Sequence, residues 1–181
     1  VSTGDIPKVL VMSYSYDLPV GLGRALHPQG AFGKIVTGWQ IMGDISVQSG
    51  IPLAIAQTTN NNSFAGFATQ RPTCNGDPNL PAAQRSTARF FDTTVFATTP
   101  QFVIGTCSRN PVRGPAYRNA DLALSKRTPL HEMISLDFRA EIFNFTNTPL
   151  LGNLNTTVGN AAFGTITSAG GKAVTNGEDI G

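Results

Sequence analysis

An all-β, antiparallel fold is what this sequence predicts, and three observations carry the prediction. Charged residues are scarce, at 13% of the chain against about 25% in an ordinary soluble domain. Turn formers are abundant, with 19 Gly and 12 Pro among 181 residues, beside many Asn and Thr. The clearest apolar stretches alternate with period two, the repeat of a strand with two different faces. No stretch is rich in Ala, Glu, Lys and Leu, so a helical bundle is excluded. The chain reads as one β-rich fragment over 1–181, with strands in 1–56, a long loop region over 57–115, a hairpin and a short strand in 116–170, and a tail at 171–181.

The first strand is expected over Pro7–Leu18. Leu10, Met12, Tyr14 and Tyr16 fall on one face, and Val9, Val11, Ser13, Ser15 and Asp17 on the other. The stretch from Gly21 to Gly33 reads as turn-like. A second strand is expected from about Lys34 to Ser49, with Trp39, Ile41, Ile45 and Val47 sharing an apolar face with Gly43. Gln40, Asp44, Ser46 and Gln48 share the other face, and Met42 breaks the pattern. Trp39 at the end of an apolar face suits a membrane-interface belt and equally suits a sheet core. The run Ile51–Ala56 continues the strand past a bulge or edge marked by Pro52.

Residues 57–115 change character. Asn60–Asn62 and Asn75–Asn79 punctuate them with several more Pro and Gly. Short strands or a helical turn at most are expected, pinned by Phe90, Phe91, Val95, Phe96 and Phe102. Order returns at Arg118, where Leu122 and Leu124 alternate with Asp121, Ala123 and Ser125. A turn at Arg127–Pro129 leads into the clearest strand of the chain. There Ile134, Leu136, Phe138, Ala140 and Ile142 face one way, and Ser135, Asp137, Arg139 and Glu141 the other. The two strands read as an antiparallel hairpin. The charges at 137, 139 and 141 must meet water, a polar lumen or one another, and are expected to neutralise each other. Phe163–Thr167 reads as a last short strand, and Lys172–Gly181 as an open terminus.

Several chemistries are absent from the sequence. Net charge is +2 with no run of Lys or Arg, so a nucleic-acid track is not expected. No nucleophile elbow, zinc-protease helix motif, phosphate loop or dinucleotide fingerprint occurs. His27 and His131 have no second ligand at metal spacing. Asp44, Asp137 and Glu141 are better read as sheet-face charges than as an acid pair. No catalytic residue, metal site or cofactor is therefore expected. Asn61, Asn144 and Asn155 head glycosylation-type tripeptides, which an Asn/Thr-rich chain produces by chance. No stretch of about 20 apolar residues exists to cross a membrane as a helix, but a tilted membrane strand needs only about 9–11 residues.

Cys74 and Cys107 stand in polar, Gly/Pro-rich surroundings without metal-binding spacing. In an exported protein they suit one disulfide closing a loop of about 30 residues, worth roughly 3 kcal/mol by the chain-entropy model. Two free thiols are the alternative.

Three stretches carry a family likeness. They are Gly38-Trp39-Gln40-Ile41-Met42-Gly43 with Gln48–Leu53, then Asn110–Lys126 with its Arg113-Gly114-Pro115 and Asn119-Ala120-Asp121-Leu122, and Phe138–Asn147 followed by Phe163–Thr167. In this order they resemble the C-terminal region of large TonB-dependent receptors, of the Oar-like type with a carboxypeptidase-regulatory-like domain. The likeness covers most of residues 1–170. It implies an incomplete outer-membrane-type barrel: a plug domain and a barrel of about 22 strands belong to the family, and this sequence matches the last part without its closing strand. With no starting Met, the chain is expected to be a processed fragment of a parent protein in the bacterial outer membrane.

Five or six strands cannot close a wide barrel, and an unclosed set leaves two edges that template further pairing. The edges are therefore expected to pair with other copies. That reading makes the chain a non-enzymatic structural subunit of an extracellular or cell-surface filament assembled by strand addition. Its partners are then copies of itself, not nucleic acid. The alternative reading is part of an outer-membrane transport barrel for substrate uptake, with the membrane as partner. A third is a soluble β-sandwich binding module.

Overall fold

In the computed structural model, described for residues 2, 4–20, 26, 28, 30–62, 66, 69–131, 134–170, 174–175 and 178–179, chain order is as follows. Strand β1 is Val9–Asp17, helix α1 Gly30–Val36, β2 Trp39–Gln48, β3 Pro52–Leu53, β4 Ala56–Gln57 and β5 Thr73–Cys74. Then come β6 Phe96–Ala97, β7 Val112–Arg113, β8 Tyr117–His131, β9 Ile134–Ile142, β10 Thr157–Val158, β11 Val174–Thr175 and β12 Glu178–Asp179. The chain divides into two units: 9–47 with 118–148, and 1–8 with 48–117 and 149–181.

The first unit is a four-stranded sheet in the order β1-β2-β8-β9. Valine and tyrosine favour the pleated backbone of β1. Hydrogen bonds from Gln40 to Ser15 and Asp17, and from Ser13 to Asp44, run in opposite chain directions, as an antiparallel pair requires. The β8–β9 ladder is antiparallel from Leu122 opposite Ile142 to His131 opposite Ile134. The turn expected at Arg127–Pro129 is not there. Arg127, Thr128 and Pro129 stay in the ladder opposite Asp137, Leu136 and Ser135, and the register shifts between Pro129 and His131. A bulge is where a strand tolerates a residue without an N–H.

Residues 34–36 are a second correction: they belong to α1, not to a strand, and the turn-like reading up to Gly33 overlaps the same helix. Most of that stretch, including residues 21–25, 27 and 29, lies outside the described residues. Gly38, at φ +76°, occupies a left-handed backbone conformation that costs glycine little. There the helix gives way to β2, with the Gly38 carbonyl accepting from the Arg127 N–H at 3.3 Å.

The second unit turns the polar stretch 57–115 into a core. Ile55, Phe91, Phe96, Cys107, Val112, Leu154, Val158 and Ile166 are buried together. Phe91, Phe96 and Phe163 meet pairwise edge to face, with centroids 5.2 to 5.6 Å apart, an arrangement aromatic quadrupoles favour. Two-residue ladders frame this core: β3 with β7, β5 with β6, and the parallel pair β4 with β10. Ile51–Ala56 therefore does not prolong β2. Phe90 and Val95 pack against the core as expected, whereas Phe102 lies outside that core and is 78% exposed.

Buried amides replace regular ladders. The Gln57 side chain accepts from the Thr99 N–H at 2.8 Å and donates to the Thr99 carbonyl at 3.2 Å. Asn61 donates to that carbonyl at 2.9 Å, and Gln70 accepts from Gln57. Thr99 is fully buried, so each of these bonds removes a desolvation cost of about 1–3 kcal/mol for an unpaired group. The expected strand at 163–167 is instead a turn over 161–164 with a single bridge from Ile166 to Leu154. The tail is not wholly open, since β11 and β12 pair antiparallel.

Candidate functional site

The sheet presents two faces of opposite chemistry. Register places Leu122, Leu124, Lys126 and Thr128 of β8 on the side of Ile142, Ala140, Phe138 and Leu136 of β9. Trp39 of β2 joins them, its indole edge-on to the Phe138 ring at 5.9 Å. Ile41, Ile45 and Val47 follow Trp39 at period two along β2. On β1 the same side carries Leu10, Met12, Tyr14 and Tyr16. Tyr14 lies over Gly43, where a side-chain carbon would come within 2.5 Å of the tyrosine hydroxyl. An aromatic ring thus covers the gap a strand glycine leaves.

Among the described residues, the outer strands β1 and β9 leave this apolar side exposed, while its β2 and β8 residues are half-buried. Leu10 is 55% exposed, Leu136 59% and Phe138 51%, and all nine residues of β1 are exposed. Large apolar area in water is costly at about 25 cal/mol per Å², and contiguous patches of this kind mark a contact with something other than water.

The opposite face is polar and internally bonded. Gln40 donates to Ser15 and Asp17 at 3.0 Å each and accepts from Ser125 at 3.4 Å, so one amide ties three strands together. Ser13 donates to Asp44. Arg127 donates two bonds to Asp137, at 2.8 and 3.0 Å, the fork geometry of a guanidinium on a carboxylate. Arg139 pairs with Glu141. Asp137 is therefore neutralised across the hairpin by Arg127, not by its neighbours on β9 alone. Asp121 accepts from Asn119 and from the Asn144 N–H.

Asp44, Asp137 and Glu141 all lie on this bonded polar face. His131 is exposed at the end of β8, and His27 lies outside the described residues. Among the described residues no group of three His, Cys, Asp or Glu comes together as a metal site. No helix among them is long and apolar enough to cross a membrane, a statement that leaves strands untouched.

In the other unit, Cys74 and Cys107 form a disulfide with their Cα atoms 4.8 Å apart. An open cavity of about 370 Å³ is lined there by Ser49, Leu53, Tyr117, Asn153, Leu154 and Ser168 among others, none of them charged. Arg113 of β7 pairs with Asp5 and donates to the Gly50 carbonyl. Asp77 and Asp92 are held below the usual carboxylate range. The Asn79 backbone N–H is the main cause for Asp77, and the Thr94 hydroxyl for Asp92.

Lys126 and Arg127 were missed as partners by the sequence reading. Lys126 left a signal: it falls in phase with Leu122 and Leu124, a charge in an apolar register. Arg127 left none, because its partner is fixed only by hairpin register.

Residues 1–174 match the family model described as an outer membrane beta barrel domain. No curated protein and no solved structure matches the chain significantly.

Proposed function

The chain belongs to the outer membrane β-barrel domain family, and from that premise we propose that the β1-β2-β8-β9 sheet is a wall segment of a transport barrel of the TonB-dependent receptor type. The observation that carries the reading is the two-faced sheet. An apolar side with aromatic residues suits lipid, and a hydrogen-bonded, ion-paired side suits a wet lumen. Dimensions agree. Nine residues in β1 and in β9, rising about 3.4 Å each and tilted about 40°, span about 23 Å of a hydrocarbon band near 25 Å tall.

Connectivity supports the same reading. Residues 49–116 connect β2 to β8, while β8 and β9 are joined through residues 132–133. In an antiparallel sheet these connections leave from opposite ends. The 49–116 connection suits the long extracellular side of such barrels, while the end that carries the short β8–β9 join also carries the longer β1–β2 connection, residues 18–38 with α1. The three sequence stretches that resemble Oar-like receptors support the narrower type. The reading is non-enzymatic, and substrate passage is its activity.

A second reading keeps one observation in common. In the sheet order, β1 and β9 are edges, each long enough to template another strand. Further strands of a barrel fill these edges in the first reading. Other copies of the chain fill them in a filament.

Electron microscopy and sedimentation of the purified chain with and without detergent separate the two. A barrel wall is expected to need detergent or bilayer to stay dispersed. Regular fibres in plain buffer would favour the filament. A monodisperse, detergent-free monomer would remove both.

A further inference from the structure

Helix α1 stands beside the apolar side of the sheet, within the same unit, and carries apolar residues that the fold does not use. Phe32 and Ile35 are 66% and 62% exposed, and at spacing i, i+3 they share one side of the helix. The other features of this place are bonded closely. The Trp39 indole N–H donates to the Ile35 carbonyl at 2.8 Å. The Lys126 ammonium donates to the Lys34 carbonyl at 2.7 Å and to the Ile35 carbonyl at 2.5 Å, and sits 5.3 Å from the centre of the Trp39 ring.

These bonds explain part of the arrangement locally. The last carbonyls of a helix have no partner within it, and a cation there is favourable. They do not explain why two large apolar side chains of a seven-residue helix face outward. Continuity does. Trp39 touches Phe138 on the apolar side of the sheet and is bonded to the Ile35 backbone, so the end of α1 is tied through Trp39 to that side. An aromatic ring, a lysine with an apolar stem and a short helix with exposed apolar residues match the layered chemistry of a membrane boundary.

We infer that α1, Trp39 and Lys126 form an interfacial anchor that seats in the headgroup layer of a phospholipid leaflet. Phe32 and Ile35 enter the acyl boundary, Trp39 lies at headgroup depth, and the ammonium of Lys126 stays at the polar side with lipid phosphate within its reach. The inference rests on the barrel reading above and adds where one boundary of the membrane meets this chain.

The sequence holds a single tryptophan, so its own fluorescence reports the site. The full chain is folded into vesicles of phosphatidylethanolamine and phosphatidylglycerol, and incorporation is scored by flotation. Trp39 emission is then measured with lipids brominated near the headgroup, with lipids brominated deep in the acyl chain, and with aqueous iodide. Strongest quenching by the shallow bromines is expected. Replacing Phe32→Ser and Ile35→Ser together should shift the emission to the red and raise iodide quenching, with the circular dichroism of the sheet unchanged. Incorporated protein whose Trp39 is quenched chiefly by iodide or by the deep bromines overturns the anchor and leaves the barrel reading standing. Protein that does not float with vesicles at all overturns the anchor.

Discussion

The two units of this chain handle apolar side chains in opposite ways. Around the disulfide, Phe91 and Phe96 are buried with edge-to-face neighbours. On the sheet, Leu10, Leu136 and Phe138 are more than half exposed, although the strands that carry them have the more regular apolar pattern. Strong amphipathicity thus does not identify the core. It identifies a surface suited to an apolar phase, which in the proposed barrel reading is lipid. The irregular, amide-rich stretch builds the water-stable core instead, because its buried Gln and Asn side chains satisfy backbone groups that no ladder reaches.

The sharpest way to break the contrast is to cut the same residue type in each unit. Phe91→Ala should cost about 3–5 kcal/mol, as a core phenylalanine with a cavity left behind does. Phe138→Ala should cost clearly less, since half of that side chain is already exposed. Denaturant unfolding in detergent, with separate probes for the two units, compares them. Equal losses would end the distinction.

Reduction of Cys74–Cys107, or Ser at both positions, should lower the stability of that unit by roughly 3 kcal/mol, leaving the sheet's dichroism intact. Simultaneous loss of sheet signal would show that the two units unfold as one.

The faces of the sheet separate in a bilayer. Ile45→Arg, near the middle of the apolar side, should destabilise the folded chain by about 2–4 kcal/mol, the cost of a lipid-facing arginine at the midplane. Ser125→Arg, on the bonded polar face, should cost less. The reverse order would exchange the lipid and lumen assignments.

The smallest effect expected is acid sensitivity of the core unit. Asp92 accepts from the Thr94 hydroxyl and N–H and from Arg89, which holds its carboxyl down in the folded state. A carboxyl lowered on folding stabilises above its unfolded pKa, and that stabilisation is lost as the pH falls through its folded value. Stability should therefore be flat from neutrality to about pH 4.5 and decline below about pH 4. Asp92→Asn should flatten that decline, and an unchanged slope would remove Asp92 from the account.

Legibility in the sequence follows range of interaction. The period-two faces of β1, β2 and β9 were readable because a strand's alternation is local, and the Leu122/Leu124 strand could be joined to β9 because the two lie close along the chain. The ends of elements were read less well. Pro129 looked like a turn, and only pairing with Ser135 shows that the strand continues through it. Lys34–Val36 looked like the start of β2, and the local conformation at Gly38 sets the true start.

By itself the sequence determined the strand-rich class, the alternating faces of the sheet strands and the resemblance that the family match supports at the level of an outer-membrane barrel. Tertiary structure alone decided that the polar stretch 57–115 closes on 149–170 to bury Phe91 and Thr99, that Arg127 rather than a β9 neighbour takes Asp137, and that Lys126 reaches Trp39 and the end of α1. The reason is physical. Alternation is written in neighbouring residues, whereas burial and ion pairing join residues brought together only when the entropy of closing long loops has been overcome.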